Sequence, residues 1–221
     1  MKIAVFGGTG EVGKHFVQQA LKSGHQLKVL ARPQSVPANW RGLAGLEIIE
    51  GSVLEPALVE QVVRGSELVV SSLGLKRTSA ANPWSKLISP VDFASSTAQS
   101  IVSAMKKNGV KRVMAVSAAG VAETYPRLNG LMKFFLATSK IGIAYRDLER
   151  MEKVYRDSGL DWVACRPTRL VDTELSEKVQ VISDGTFPMN AQITRADVAA
   201  WMLANLQTPL ADRTPTITQT V

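Results

Sequence analysis

The stretch GGTGEVG at residues 7–13 sets Gly7, Gly10 and Gly13 three apart, between the apolar run KIAVF (2–6) and a segment with helical spacing. Glycines so placed serve phosphate chemistry. The first permits a tight turn, the second lets backbone approach a pyrophosphate, and the third lets a helix pack closely on a strand. The helix N-terminus then turns its free N–H groups and partial positive charge towards the phosphates. The stretch also fits G-x-G-x-x-G through Gly8, Gly10 and Gly13. A glycine-rich turn alone is weak evidence; its place between a first strand and a first helix gives it weight.

A second position refines the chemistry. About twenty residues past such a motif, a carboxylate would bind a ribose 2′-hydroxyl and select NAD. Here VLARP puts Arg32 nineteen residues after Gly13. A guanidinium binds a 2′-phosphate bidentately, so NADP is expected, with NADPH preferred over NADH. The alternative is a solvated surface arginine.

Acid–base chemistry is thinly provided. Four residues beyond Tyr125, Tyr145 and Tyr155 stand Asn129, Glu149 and Gly159, so no Tyr-x-x-x-Lys dyad is present. The candidate catalytic residues are Ser117 and Tyr145. Ser117 either hydrogen-bonds a substrate or cofactor amide or caps its loop, and Tyr145 is either a displaced proton donor or a packed helix tyrosine. His15 and His25 flank the first helix and belong to no triad. Cys165 is the only cysteine. It forms no internal disulfide, implies no metal cluster, and reads as a small buried hydrophobe.

These residues need a scaffold, and the hydrophobic pattern supplies one. Short apolar runs at 2–6, 26–31, 46–50, 67–73, 111–118 and 161–166 alternate with amphipathic stretches. That alternation is the mark of βαβ units and predicts an α/β, Rossmann-like doubly wound parallel sheet. Helices are expected near 12–21, 56–64, 91–105, 123–157 and 195–206, and PTIT (215–218) as an edge strand. At 221 residues, 45% hydrophobic and 20% charged, the chain is expected to be one domain over 1–221. Its substrate-side elements are expected near 120–145 and 168–194.

No run of about eighteen apolar residues occurs, so neither a membrane span nor a membrane partner is expected. KIAVF runs straight into glycines without a signal-peptide pattern, which with the lone cysteine points to the cytoplasm. The net charge of +7 looks spread along the chain and suits a phosphate-bearing small ligand better than nucleic acid. A monomer or weak dimer is expected.

Five motifs in order, GGTGEVG, VLARP, VVSSLG, VMAVSAAG and SGLDWVACRPT, resemble the atypical short-chain dehydrogenase/reductase proteins with an NAD(P)H-binding domain. The flavour is that of biliverdin-IXβ reductase/flavin reductase and NmrA-like proteins, and the likeness covers about 1–170. By that resemblance Thr9, Gly10, Glu11 and Val12 contact the pyrophosphate. Leu73 and Gly74 flank the nicotinamide half, Ser117 and Ala118 lie beside the nicotinamide, and Pro167 with Thr168 frames its carboxamide. Relatives often carry Asp–Val after the third strand to hold adenine; here the pair is Ser52–Val53, which keeps only the apolar contact. Glu152 stands where the β-reductase has a histidine.

Without the dyad, carbonyl reduction and sugar epimerisation are disfavoured, since both need an acid able to protonate an alkoxide. The expectation is an NADPH-dependent reductase passing hydride to a flat conjugated acceptor such as a flavin or quinone, a small aromatic substrate. The rival is a non-catalytic NADP-binding redox sensor or interaction protein of the NmrA-like kind. A remoter one is an NAD(P)-dependent epimerase or isomerase. The greasy stretch 125–145, with Leu128, Leu131, Met132, Phe134 and Phe135, walls a pocket, packs as core or faces a partner.

Overall fold

Alternation within one strand sets the layers. In β1 (Lys2–Phe6), Ile3 and Val5 join one buried cluster while Ala4 and Phe6 join another. A parallel strand covered on both faces needs that two-sided apolarity. The computed structural model describes residues 1–79, 82–176, 178–188 and 190–220. β1 pairs in parallel with β2 (Gln26–Ala31) and β4 (Leu68–Ser71), and β3 (Leu46–Glu50) flanks β2. Beyond β4 follow β5 (Arg112–Val116) and β6 (Asp161–Pro167), also parallel.

Helices cover both faces. α1 (Gly13–Lys22) packs through Phe16, Val17 and Ala20 onto the Ile3/Val5 face, beside α6 (Arg195–Ala204). The other face is covered by α2 (Pro56–Val63), α3 (Phe93–Lys107) and α5 (Ile141–Arg156). The predicted Rossmann-like sheet is therefore what forms.

Three features differ from the sequence-based expectation. The helical region at 123–157 is broken into a 3₁₀ segment (Ala122–Arg127), α4 (Gly130–Thr138) and α5. Pro126 interrupts it, and the Asn129 side chain restarts a helix by accepting the Met132 N–H at 2.9 Å. β10 (Thr216–Gln219), expected at an edge, lies inside the sheet. It pairs in parallel with β6 and antiparallel with the three-residue β8 (Val179–Val181), which takes the edge. A second small sheet joins β7 (Arg169–Val171) to β9 (Gln192–Thr194).

The segments 120–145 and 168–194 are in contact. Leu128 and Leu136 share a small apolar cluster with Phe187. Arg127 donates to the Gly185 and Asp184 carbonyls at 2.7 and 2.8 Å, and its guanidinium lies 4.5 Å over the Phe187 ring. Positions 177 and 189 within the 168–194 region lie outside the described residues.

Asp147 fastens α5 to α3. Fully buried, it accepts the Ala94 N–H at 2.7 Å and the Ser95 hydroxyl at 2.6 Å, capping α3 from a neighbouring helix. Asp147→Ala should destabilise the fold by about 2–3 kcal/mol, because it strands buried donors that now meet a charged acceptor. Urea unfolding measures it, and Asp147→Asn should recover part of the loss.

Candidate functional site

The glycine turn connects β1 to α1, and its glycines have different reasons to be there. Gly7 has φ +78°, and a Cβ on it would lie 2.9 Å from the Ser72 backbone at the end of β4. A Cβ on Gly8 would press on Val29 at 2.8 Å, and one on Gly13 would overlap the Gly7 carbonyl oxygen. Those three are demanded by the chain itself. Gly10 is not: a Cβ there meets only the Gly7 carbonyl oxygen, at 3.1 Å. Space kept free above a turn is what an external pyrophosphate requires. Next to it, the Gly10 N–H is taken by the Gly7 carbonyl and the Lys14 N–H by the Gly10 carbonyl, both at 2.9 Å, so it is the N–H groups of Thr9, Glu11, Val12 and Gly13, around the open face of Gly10, that fit a phosphate group.

The end of β2 faces the same turn. Thr9 donates its hydroxyl to Ser35 Oγ at 3.3 Å, and Ser35 donates to the Arg32 carbonyl at 2.8 Å. Arg32 is exposed and its guanidinium makes no ion pair among the described residues. Two hydroxyls thus meet beside the backbone of Arg32. Ser35 was missed in the sequence; its position three past Arg32 was the available signal. Lys28 is engaged elsewhere, donating to the Arg64 carbonyl at 2.9 Å.

After β3, Ser52 serves its own turn: its hydroxyl accepts the Leu54 N–H at 3.2 Å, and Val53 packs against the core. After β4, Leu73 packs inward, while a Cβ on Gly74 would meet open space. Ala119 N–H donates to the Pro167 carbonyl at 3.0 Å, joining the ends of β5 and β6 beside Ala118. The Thr168 hydroxyl donates to Thr218 at 3.0 Å. The sequence-derived cofactor residues therefore lie at or just beyond the carboxyl ends of parallel strands, with Gly13 opening α1 and Pro167 closing β6, the side on which open α/β sheets bind ligands.

Ser117 sits there as well, though its hydroxyl is committed. It donates to Glu152 Oε1 at 2.5 Å, and Glu152 is buried. Arg166, with no exposed surface, donates to Glu152 through Nε at 2.9 Å and Nη2 at 2.5 Å, and to Glu123 through Nη1. Burial opposes the charge on Arg166, yet the two carboxylates hold its pKa above the ordinary value. Glu123 is desolvated by partial burial, but its bonds to Arg166 keep its carboxyl below the usual range. Glu152 therefore braces the strand ends and does not point at a ligand.

Beyond Ser117 opens a cleft of about 420 Å³, lined by Gly120, Tyr125, Leu136, Tyr145, Arg146 and Glu149 among others. Tyr145 donates to the Ala119 carbonyl at 3.2 Å, and burial pushes its phenol up to about 12. Tyr125 is exposed at the cleft, and Tyr155 is sealed in the core, where burial raises its pKa further. Ala122, also in the lining, has φ 50°, a strained conformation for a residue with a Cβ. Cys165 is buried and its thiol is likewise raised to about 12, which makes it inert. Among the described residues, no group of three or more His, Cys, Asp or Glu is placed to hold a metal ion.

A family model described as NAD(P)H-binding matches residues 7–209. Isoflavone reductase homolog IRL of Zea mays is 35% identical over 80 residues, covering 33% of this chain and 26% of that protein. Photosystem II assembly factor Ycf39 of Synechocystis sp. is 27% identical over 131 residues, covering 58% and 36%. The chain thus spans about a quarter to a third of the length of these two relatives. Among solved structures, ChuY, an anaerobilin reductase from Escherichia coli O157:H7, superposes with TM-score 0.80 at 20% identity, covering 99% and 97% of the two chains. A short-chain dehydrogenase/reductase from Veillonella parvula in complex with NADP gives 0.77 at 20% identity, covering 98% and 93%. At such identity these structures show a shared fold.

Removing one partner of a buried ion pair typically costs about 3–5 kcal/mol, because the other charge is left bare. Glu152→Ala should therefore destabilise by that order in urea unfolding. Glu152→Leu combined with Arg166→Met should cost much less than the single change. A loss under about 1 kcal/mol for Glu152→Ala would show that water reaches the guanidinium.

Proposed function

The chain belongs to the NAD(P)H-binding family, and from that premise we propose that it is an NADPH-dependent reductase of a flat conjugated acceptor, such as a flavin or a quinone. The observation that carries this is the chemistry of the cleft. Two tyrosines line it: Tyr125 is exposed to solvent, while Tyr145, the buried one, gives its proton to the Ala119 carbonyl and has a pKa raised to about 12. Such a phenol is a poor general acid near neutral pH. An acceptor whose π-system spreads the incoming charge takes its proton from water and needs no strong acid from the protein. An anaerobilin reductase among the proteins of this fold supports a reductase.

The residues divide the work by position. The turn from Gly7 to Gly13 and the start of α1 hold the pyrophosphate, with Thr9, Arg32 and Ser35 around a 2′-phosphate. Val53 takes the adenine face. Leu73, Gly74, Ala118, Pro167 and Thr168 bound the nicotinamide end. The reduced nicotinamide supplies the hydride when bound. Ser117, its proton given to Glu152, keeps lone pairs for an amide donor. The 120–145 and 168–194 elements, clamped by Arg127, belong to the same single domain, wall the acceptor and shield it from water. Orientation over the nicotinamide is then the main catalytic device.

One observation favours a second reading, a non-catalytic NADP-binding sensor: the Ser117 hydroxyl, the remaining residue of the short-chain reductase acid–base set, donates to a buried carboxylate. Mixing the protein with NADPH and a panel of flavins, quinones and aldehydes separates the two. Turnover with the flat acceptors supports the reductase; tight cofactor binding without turnover supports the sensor.

Two variants test the assignments. A charge-assisted hydrogen bond contributes about 1.5–3 kcal/mol, so NADPH should bind about 10–150-fold tighter than NADH. Arg32→Ala should bring that ratio close to one at fixed salt, by calorimetric titration; an unchanged ratio places cofactor choice elsewhere. Tyr145→Phe should slow turnover less than about tenfold, against the 10²–10⁴-fold that a positioned general acid contributes. The pH profile should show no limb from Tyr145 until pH approaches 12.

A further inference from the structure

The excess positive charge is confined to two segments. Residues 68–91 and 124–146 carry seven basic residues, among them Lys86, Lys133 and Lys140, and no Asp or Glu; the rest of the chain holds 19 of each sign. The fold brings these segments together at α4. Trp84 stands edge-on to Phe135 with ring centroids 5.8 Å apart and donates its indole N–H to the Thr138 carbonyl at 3.0 Å. The Lys140 N–H donates to the Pro83 carbonyl at 3.1 Å. Phe134 lies 6.1 Å from Phe135.

At this joint Trp84 is 51%, Leu131 56% and Phe134 56% exposed. Leu131 and Phe134, three apart on α4, share a face, while Leu136 on the same helix turns inward to line the cleft. Lys86 and Lys140 make no ion pair among the described residues. Lys133 donates to the Pro126 carbonyl at 3.0 Å, with its ammonium 5.8 Å over the Tyr125 ring.

We propose that this face docks on an anionic lipid bilayer, with Trp84, Leu131 and Phe134 entering the headgroup boundary and the lysines meeting lipid phosphates. Aromatic and aliphatic tips interleaved with lysines suit that boundary, since long basic side chains keep their heads at the charged surface. The Trp84 indole already has an acceptor, so burying its ring orphans no donor. A second copy is a poor occupant, because two faces built from segments that carry seven basic residues and no Asp or Glu would meet. A protein partner suits less well, because protein interface cores are depleted in lysine, and here Lys133 adjoins Phe134.

The test is co-sedimentation of the full chain with phosphatidylcholine vesicles holding about a third phosphatidylglycerol. Binding at low salt should be at least about tenfold tighter than to phosphatidylcholine alone. Leu131→Ser with Phe134→Ser should weaken it about tenfold, with NADPH affinity retained as the control of folding. Brominated acyl chains should quench tryptophan emission, and Trp84→Phe should remove that quenching. No binding at low salt overturns the proposal and leaves the face to a protein partner. Undiminished binding of the double serine variant overturns it too, since attraction of a basic chain then suffices. Neither readout involves turnover, so vesicle binding and the reductase reading fail separately.

Discussion

Arg166 keeps a full positive charge with none of its surface in water, which a protein sustains only where carboxylates meet the guanidinium. Those carboxylates come from different parts of the chain. Glu152 is supplied by α5 and Glu123 by the turn after β5, while Arg166 itself stands near the end of β6. The Ser117 hydroxyl fills a further acceptor position on Glu152. One buried charge therefore fixes how α5 lies against the ends of two strands, and α5 carries Tyr145 into the cleft. Position in the cleft is inherited from electrostatics beneath it.

Above that floor, the cofactor half of the site follows from local rules. Gly13 is required because the helix passes against the Gly7 carbonyl, and Gly8 because Val29 fills the neighbouring strand. Such close approaches leave marks in sequence, as does Arg32 at the end of a strand that reads as buried. The parallel sheet was legible for the same reason: strands covered on both faces, such as Ile3–Phe6 and Leu68–Val70, are unbroken apolar runs.

What escaped the sequence was non-local. β7, β8 and β9 have three residues each, too few for any alternation to show. The break before α4 rests on Pro126 and the Asn129 cap, and the one between α4 and α5 on Gly142, where a Cβ would overlap the Leu136 carbonyl. PTIT looked like an edge because nothing local indicates that Val179–Val181 will lie outside it. Arg166 reads as one more charge at a strand end, and only the fold shows it sealed. The distribution of charge was missed likewise, since lysines far apart in sequence looked scattered until Pro83 met Lys140.

The position of β10 bears on how the chain folds as it leaves the ribosome. It follows β1 to β9 in sequence, yet its neighbours in the sheet are β6 and β8. Until it emerges, β6 presents an unpaired edge whose N–H groups at Ala164, Arg166 and Thr168 later bond to Arg213, Pro215 and Ile217. An open apolar edge is a template for pairing with other chains. The nascent protein is therefore most exposed to aggregation between the emergence of β6 and that of β10, when its first six strands can already be assembled. A chaperone that shields strand edges would act at that stage, and the closing step is a long-range insertion that slows folding.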